Sequence, residues 1–279
     1  MTTHIALGQR TLIGRGRTAE IYAWDHGRAL KLYYPGWPVD AVKHEAEISQ
    51  VVAATGVTAP AVDGVLTVDG RQGVLFERLI GPSLLAQVAG RPWTLPRAVR
   101  VFTDLHLAVH AHTVADSNLP SQRARLVRQI EEAPSIMEEV RRAALQRLER
   151  LPDGDALCHG DYHPDNVLVT QRGPIIIDWV SASRGHPLAD VAQTDLLLRI
   201  GEPPETPSGV ERGLLAVARG YVRRTYLRRY LRRSATTREA FAAWRLPIAV
   251  ARLAQEIPAE RIPLLRLIAQ LQPNEMPAR

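Results

Sequence analysis

The residues of this chain best placed to do chemistry together stand between 157 and 179. The run Leu157-Cys-His-Gly-Asp-Tyr-His-Pro-Asp-Asn-Val-Leu168 is followed by Ile175-Ile-Ile-Asp178-Trp179. Asp161 and Asn166 lie five apart on one loop, and Asp178 follows twelve residues later, directly behind three β-branched residues. A carboxylate closing a buried apolar strand is costly unless it meets a cation. Asn166 and Asp178 offer hard oxygen ligands of the kind Mg²⁺ takes. That leaves Asp161 to accept a proton from an attacking hydroxyl. Ordinary turn-forming Asp and Asn residues would account for the loop, but not for a carboxylate placed behind three isoleucines.

Two further groups upstream fit the same chemistry. In Ala29-Leu-Lys31 a lysine sits between apolar neighbours on a predicted inner strand, where it needs an anion. The alternative is an edge lysine reaching out to water. Glu45 and Glu47 lie on the next predicted helix, two positions and so about 200° apart, and only one can face a sheet. Glu45 is the expected partner. Of the 35 basic side chains only Lys31 and Lys43 are lysines, which makes each lysine position more telling. The segment Ile13-Gly-Arg-Gly-Arg-Thr-Ala-Glu-Ile-Tyr22 is a glycine-bearing turn between predicted strands. Such a turn lets backbone N–H groups approach phosphate oxygens; a plain hairpin turn is an equal reading. No Gly-Lys-Ser/Thr follows it, so it is not a Walker loop. A strand rather than a helix comes next, so it is no dinucleotide fingerprint.

These groups must be held by two kinds of scaffold. The first 80 residues carry short β-like runs at 11–13, 20–24, 28–34, 61–68 and 71–77, with Asp69-Gly70 as a hairpin signal. One helix interrupts them at 39–54, with Pro38 at its start and Gly56 past its end. After Gly81-Pro82 the periodicity becomes helical, at 96–112, 122–132 and 136–151. A β-like island follows at 167–170 and 175–177, then helical stretches at 189–199, 210–233 and 238–271. A loop is expected at 202–209 and a loose tail at 273–279. The expected class is α+β: a small β-rich lobe over residues 1–79 and a larger, mostly helical lobe over 80–279 carrying the 157–179 run.

With 279 residues the chain can bury a core unaided, and 46% hydrophobic with 23% charged residues is an ordinary globular balance. No apolar run approaches the ~18 residues a membrane span needs. No signal peptide is read at the start. A lone cysteine, Cys158, fits a reducing compartment, so a cytoplasmic location is expected.

Taken together, the motifs resemble the aminoglycoside phosphotransferase and choline kinase branch of the protein-kinase-like fold. His159-Gly-Asp161-Tyr-His-Pro-Asp-Asn166 is similar to the H-R-D-x-x-x-x-N catalytic loop, and Ile177-Asp-Trp179 to D-F-G. Gly14-x-Gly16 and Ala29-Leu-Lys31 resemble the Gly-rich loop and the strand-three lysine. Phe76-Glu-Arg-Leu-Ile-Gly-Pro-Ser-Leu84 resembles the hinge, and Gly185-His-Pro-Leu-Ala-Asp190 the helix start after the metal-binding segment. The resemblance runs in order over about residues 10–195. It implies a Mg-ATP-dependent phosphotransferase acting on a hydroxyl of a small molecule. The cofactors implied are ATP, or GTP, and Mg²⁺.

The implied roles follow position by position. Asp161 would be the catalytic base or hydroxyl-orienting residue, and Asn166 and Asp178 the metal ligands. Lys31, braced by Glu45, would contact the α and β phosphates. Gly14, Gly16 and Thr18 would line the phosphate loop. His163 would stand near the γ-phosphate, and backbone around Glu77 to Leu79 would hold the adenine. His159 and Asp190 would brace the catalytic loop. Two departures stand out: Ala19 replaces the loop's third glycine, and only twelve residues separate Asp178 from Asp190. The second leaves no A-P-E segment and no long activation loop, which disfavours a protein substrate. The acceptor is left open among sugars, amino alcohols, nucleosides and aminoglycosides, the arginine-rich helical half counting against a polycation. No nucleic-acid, membrane or obligate protein partner is expected. The rival reading is a nucleotide-binding pseudokinase scaffold without turnover.

Three signals are set aside. His106, His110 and His112 share a helix at metal-compatible spacing, but no H-E-x-x-H is present, and they are read as core or surface histidines. Arg223, Arg224, Arg228, Arg229, Arg232 and Arg233 alternate with Tyr221, Tyr226 and Tyr230; this is read as a solvated face with tyrosines turned inward rather than an RNA-binding helix. Cys158 is read as a small buried hydrophobe.

Overall fold

The structure, a computed structural model, describes residues 6–201 and 209–272. Residues 202–208 of the expected loop and the expected tail at 273–279 lie outside the described residues. In chain order the first elements are β1 (Leu12–Arg15), β2 (Ala19–Trp24), β3 (Arg28–Tyr33), α1 (Val39–Ala54), β4 (Val62–Val68), β5 (Arg71–Glu77) and α2 (Leu84–Gly90). Then come α3 (Leu95–His110), α4 (Gln122–Glu132), α5 (Glu138–Glu149), β6 (Ala156–Cys158), β7 (Val167–Thr170), β8 (Gly173–Ile176) and β9 (Ser183–Gly185). The chain continues through α6 (Pro187–Ile200), α7 (Gly209–Arg233), α8 (Arg238–Leu253) and α9 (Pro258–Leu271).

The described residues divide into two compact units. The first holds 6–92, 117–119 and 164–182. Its sheet is antiparallel, in the order β1-β2-β3-β5-β4. Asp69 and Gly70, both at positive φ (47° and 75°), make the tight β4–β5 turn that an Asp-Gly pair favours. Alternation along β3 decides which side chains meet α1. Leu30 and Leu32 pack with Val68 on one face; Tyr33 packs with Val42 and Ala46 of α1 on the other. Lys31, two residues before Tyr33, therefore points to the α1 side.

The β7–β8 hairpin belongs to this same unit. It is stitched to the segment between β5 and α2: Val169 N–H donates to Pro82 O at 2.9 Å, and Ser83 bridges to Leu168. Ser83 Oγ also donates to Asp165 at 2.6 Å and caps α2 by accepting from Ala86 N–H. Gly81 makes the contact feasible. Its φ is +154°, and a Cβ there would stand 2.1 Å from Val169 O.

The second unit holds residues 93–116, 120–163, 183–201 and 209–272. The sequence reading missed its two-stranded β6–β9 ladder, in which Leu157 pairs with Arg184. Three residues per strand are too few for periodicity to register. A second correction concerns 238–271, expected as one helical stretch. It is two helices, α8 and α9, because Pro258 has no N–H to continue a ladder and disfavours helical geometry at Ile257. A third concerns β1, which runs through Gly14 and pairs it with Ile21, so the turn to β2 is confined to residues 16–18. Tyr226 and Tyr230 of α7 are buried as expected; Tyr221 is not.

Replacing Gly81 by Ala should cost about 2 kcal/mol or more, because a Cβ must displace backbone rather than a flexible side chain. Urea unfolding checks this, with Gly90→Ala as the control, where a Cβ meets open space. Equal midpoints for the two variants would contradict the account.

Candidate active site

In the first unit the structure brings Lys31, Glu45 and Asp178 together. Lys31 Nζ donates to Glu45 Oε1 at 2.7 Å and to Asp178 Oδ1 at 2.9 Å. Glu45 is buried on α1, while Glu47 is exposed. Burial works against the Lys31 ammonium, but Asp178 and Glu45 outweigh it and hold its pKa above the usual lysine value. Burial pushes the Glu45 carboxyl up, and Lys31 opposes that. Among the described residues Glu45 Oε2 has no hydrogen-bond partner, so removing the lysine would leave a buried carboxylate without its cation.

The hairpin sets Asp178 in place. Val167 pairs with Ile176 across β7–β8, and Ile177 N–H donates to Asn166 O at 2.9 Å. Asn166 thus stands just before one strand, opposite the point where the other ends and delivers Asp178. Asp178 itself adopts a left-handed conformation (φ 62°, ψ 61°), unusual for a residue with a Cβ and a strain that surrounding contacts must offset. The next residue supplies one such contact. Trp179 is buried, and its Nε1–H donates to Ile176 O at 3.0 Å. Asn166 and Asp178 are a hard-oxygen donor pair, with Asp178 partly exposed, and fit a small divalent cation.

The other predicted residues of this unit lie on strands or in the segments beside them. Gly16 N–H donates to Ala19 O at 2.8 Å, closing the β1–β2 turn, and Tyr34 N–H, just past β3, donates to Thr18 O at 3.0 Å. Neither Gly14 nor Gly16 has positive φ, and a Cβ on either would make only ordinary contacts. Glu77 closes β5 and accepts from Arg172 of the β7–β8 turn; Leu79 follows two residues on. Arg172 and Ser83 are contacts that nothing in the sequence pattern announced.

Asp161 and His163 belong to the second unit. His163 Nε2 stands 3.7 Å from Asp161 Oδ2. Burial would raise the Asp161 carboxyl, but His163, then His159 and Arg252, more than offset it and hold it below the usual carboxylate range. Arg252 is in turn held by Glu260 through two hydrogen bonds, at 2.6 and 2.8 Å. Asp161 N–H donates to His159 Nδ1 at 3.2 Å. Asp190, fully buried, accepts from His159 N–H at 2.6 Å and Gly160 N–H at 2.8 Å. On the far side of Asp161, Tyr162 stacks on Phe102 and donates its hydroxyl hydrogen to Phe102 O at 2.8 Å. Cys158 is buried, and burial pushes its thiol well above the usual value, so it is no nucleophile.

Histidines 106 and 110 are more than packing. Their Nε2 atoms both lie 3.1 Å from Asp190 Oδ2. Burial, with His110 adjacent, drives the His106 pKa down to about 3 against its hydrogen bond to Asp190. Burial would raise Asp190, but the hydrogen bonds from His106 and His110 hold it well below its usual value.

Solved structures with this fold include an aminoglycoside-3′-phosphotransferase of type VIII, 21% identical, with 86% of this chain and 92% of that chain covered and a TM-score of 0.56. An amicoumacin kinase in complex with AMP-PNP and Ca²⁺ is 14% identical, with 96% and 89% covered and a TM-score of 0.57. An aminoglycoside phosphotransferase from Streptomyces rimosus in complex with ADP and streptomycin is 17% identical, with 87% and 92% covered and a TM-score of 0.57. These matches define a kinase-like fold, with a five-stranded antiparallel sheet followed by a mostly helical region. The model of the phosphotransferase enzyme family, APH, matches residues 11–227, and the chain belongs to that family. No curated protein matches the chain. Among the described residues no helix is long and apolar enough to cross a membrane.

The buried histidine makes a prediction about acid stability. His106 faces His110, Asp190, His159, Tyr162, Tyr226 and Tyr230. The unfolded chain takes up its proton near pH 6.5, whereas the folded chain refuses it until about pH 3. The stability this confers is complete above pH 6.5 and is lost as pH falls towards 3, with a slope of about 1.4 kcal/mol per pH unit. His186, lowered by burial, adds in the same direction. Denaturation midpoints from pH 8 to 4 should show the decline, and His106→Gln should flatten it. Identical slopes for the two proteins would refute this.

Proposed function

We propose that this protein transfers the γ-phosphoryl group of Mg-ATP to a hydroxyl of a small molecule. The observation that carries the reading is the Lys31 ammonium held between Glu45 and Asp178. A lysine fixed by one buried carboxylate, next to a carboxylate on a strained turn, is what a nucleotide's phosphates and their metal need. The family supports the reaction class, and proteins of this fold hold ADP or AMP-PNP in solved structures.

In this reading Lys31, oriented by Glu45, contacts the α and β phosphates. Asn166 and Asp178 hold Mg²⁺, which when bound neutralises charge on the transferring phosphoryl group. Gly14, Gly16 and Thr18 line the phosphates, His163 stands by the γ-phosphate, and the backbone from Glu77 to Leu79 holds the adenine. Asp161 takes the acceptor's hydroxyl. Its lowered pKa makes it a weak base at neutral pH, so its work is to orient the hydroxyl and receive the proton late. A loose phosphoryl-transfer transition state asks for little more than that. Aminoglycosides are polycations that call for acidic surroundings, so the basic chain counts against them, and sugars, amino alcohols and nucleosides stay open.

The test is ADP release from Mg-ATP across a panel of aminoglycosides, amino alcohols, sugars and nucleosides, with the Asp161→Ala protein as blank. A compound-dependent rate lost at least 10³-fold in that variant, with nucleotide binding retained, is expected. Asp178→Ala should weaken Mg-nucleotide binding, and an unchanged Mg²⁺ dependence would count against its role. Nucleotide binding with no Asp161-dependent turnover for any compound would favour a scaffold instead.

A further inference from the structure

Asp161 is held from both sides, by α3 after it and by Asp190 of α6 before it, and the two supports are joined. After Asp161, Tyr162 lies against Phe102 and against His106 of α3, ring centroids 4.4 and 4.1 Å apart. Before Asp161, the amides of His159 and Gly160 hang on the Asp190 carboxylate. That carboxylate also faces the Nε2 atoms of His106 and His110, one helical turn apart on α3. Each imidazole has a second partner on α7. His106 Nδ1 is 2.7 Å from Tyr226 Oη, and His110 Nδ1 is 2.6 Å from Tyr230 Oη.

With neutral rings, hydrogen counting assigns the protons. An ionised carboxylate only accepts, so both Nε2 atoms donate to it. A neutral imidazole then accepts at Nδ1, and each tyrosine hydroxyl donates there. The two tyrosines thereby select the tautomer that binds Asp190. We propose that His106 and His110, each set by a tyrosine of α7, are positioning residues that act through Asp190 to fix the backbone carrying Asp161.

The same three groups invite a second reading. His106, His110 and Asp190 place ligand atoms within 4.8 Å of one another, as a metal site would. The hydrogen bonds argue against it. Every ring nitrogen of the two histidines already has a partner, and Asp190 Oδ2 also takes the His159 amide. A cation would have to break these bonds in a site closed to water.

The proposal's meaning for catalysis rests on the phosphotransfer reading, so its primary readouts do not need turnover. Nitrogen-15 spectra of the wild-type imidazoles at pH 7 should show His106 and His110 as neutral Nε2–H tautomers; a cationic ring or an Nδ1–H tautomer at either position would overturn the relay. In the Tyr226→Phe/Tyr230→Phe protein the amides of His159 and Gly160 should lose roughly tenfold or more of their protection from hydrogen exchange, while α8 keeps its own. Wild-type protection in that variant would overturn the proposal. Should the double variant not fold, Tyr230→Phe alone carries the test at His110. Dialysis against Zn²⁺ closes the other route: one bound equivalent, lost in His110→Gln, would replace the relay by a metal site. Where ADP release is measurable, the double variant should lower kcat about tenfold with the KM for ATP within twofold. Absence of turnover in wild type would refute the phosphotransfer reading and leave the relay to be judged by the spectra and the exchange.

Discussion

A lysine ammonium buried beside apolar side chains must be matched by negative charge, and in this protein the match is made twice. Lys31 reaches Glu45 fourteen residues away and Asp178 a further 133 residues along the chain. The second contact draws the β7–β8 hairpin into the same compact unit as the N-terminal sheet. That hairpin is fastened along its length by Pro82, Ser83 and Arg172, so Asp178 arrives at Lys31 on a rigid support. Strain at Asp178 is tolerable because Trp179 is locked immediately behind it.

The second unit is organised on the same principle with the sign reversed. Asp190 is a fully buried carboxylate. It meets two backbone amides and two imidazoles. A charge solvated by dipoles that are themselves fixed by α3 and α7 is hard to move. Asp161 inherits that rigidity from the residues on either side of it. His163, His159 and Arg252 hold its carboxyl below the usual range, which suits the orienting task proposed for it.

Much of this was legible in the residues. The helix at 39–54, the strand at 71–77 and the Asp-Gly turn follow from local periodicity and turn chemistry, which act over a few residues. The choice of Glu45 over Glu47 needed only helix geometry. The β6–β9 ladder and the break between α8 and α9 did not show. A three-residue strand has no period to read, and Pro258 was masked by apolar periodicity on both sides. The histidines on α3 were visible as a spacing, but a spacing on one helix does not name partners on two others.

By itself, then, the amino-acid sequence determined the order of elements and the set of charged and polar groups that must be reconciled with burial. Residue type and short-range periodicity are local properties, and they carry that much. Which charge meets which was decided only by tertiary structure. The pairing of Lys31 with Asp178, the union of His106, His110 and Asp190, and the tyrosines behind them all join residues 80 to 147 positions apart. Partners so distant are selected by the packing of whole elements, because only there does the cost of burying one group fall on another.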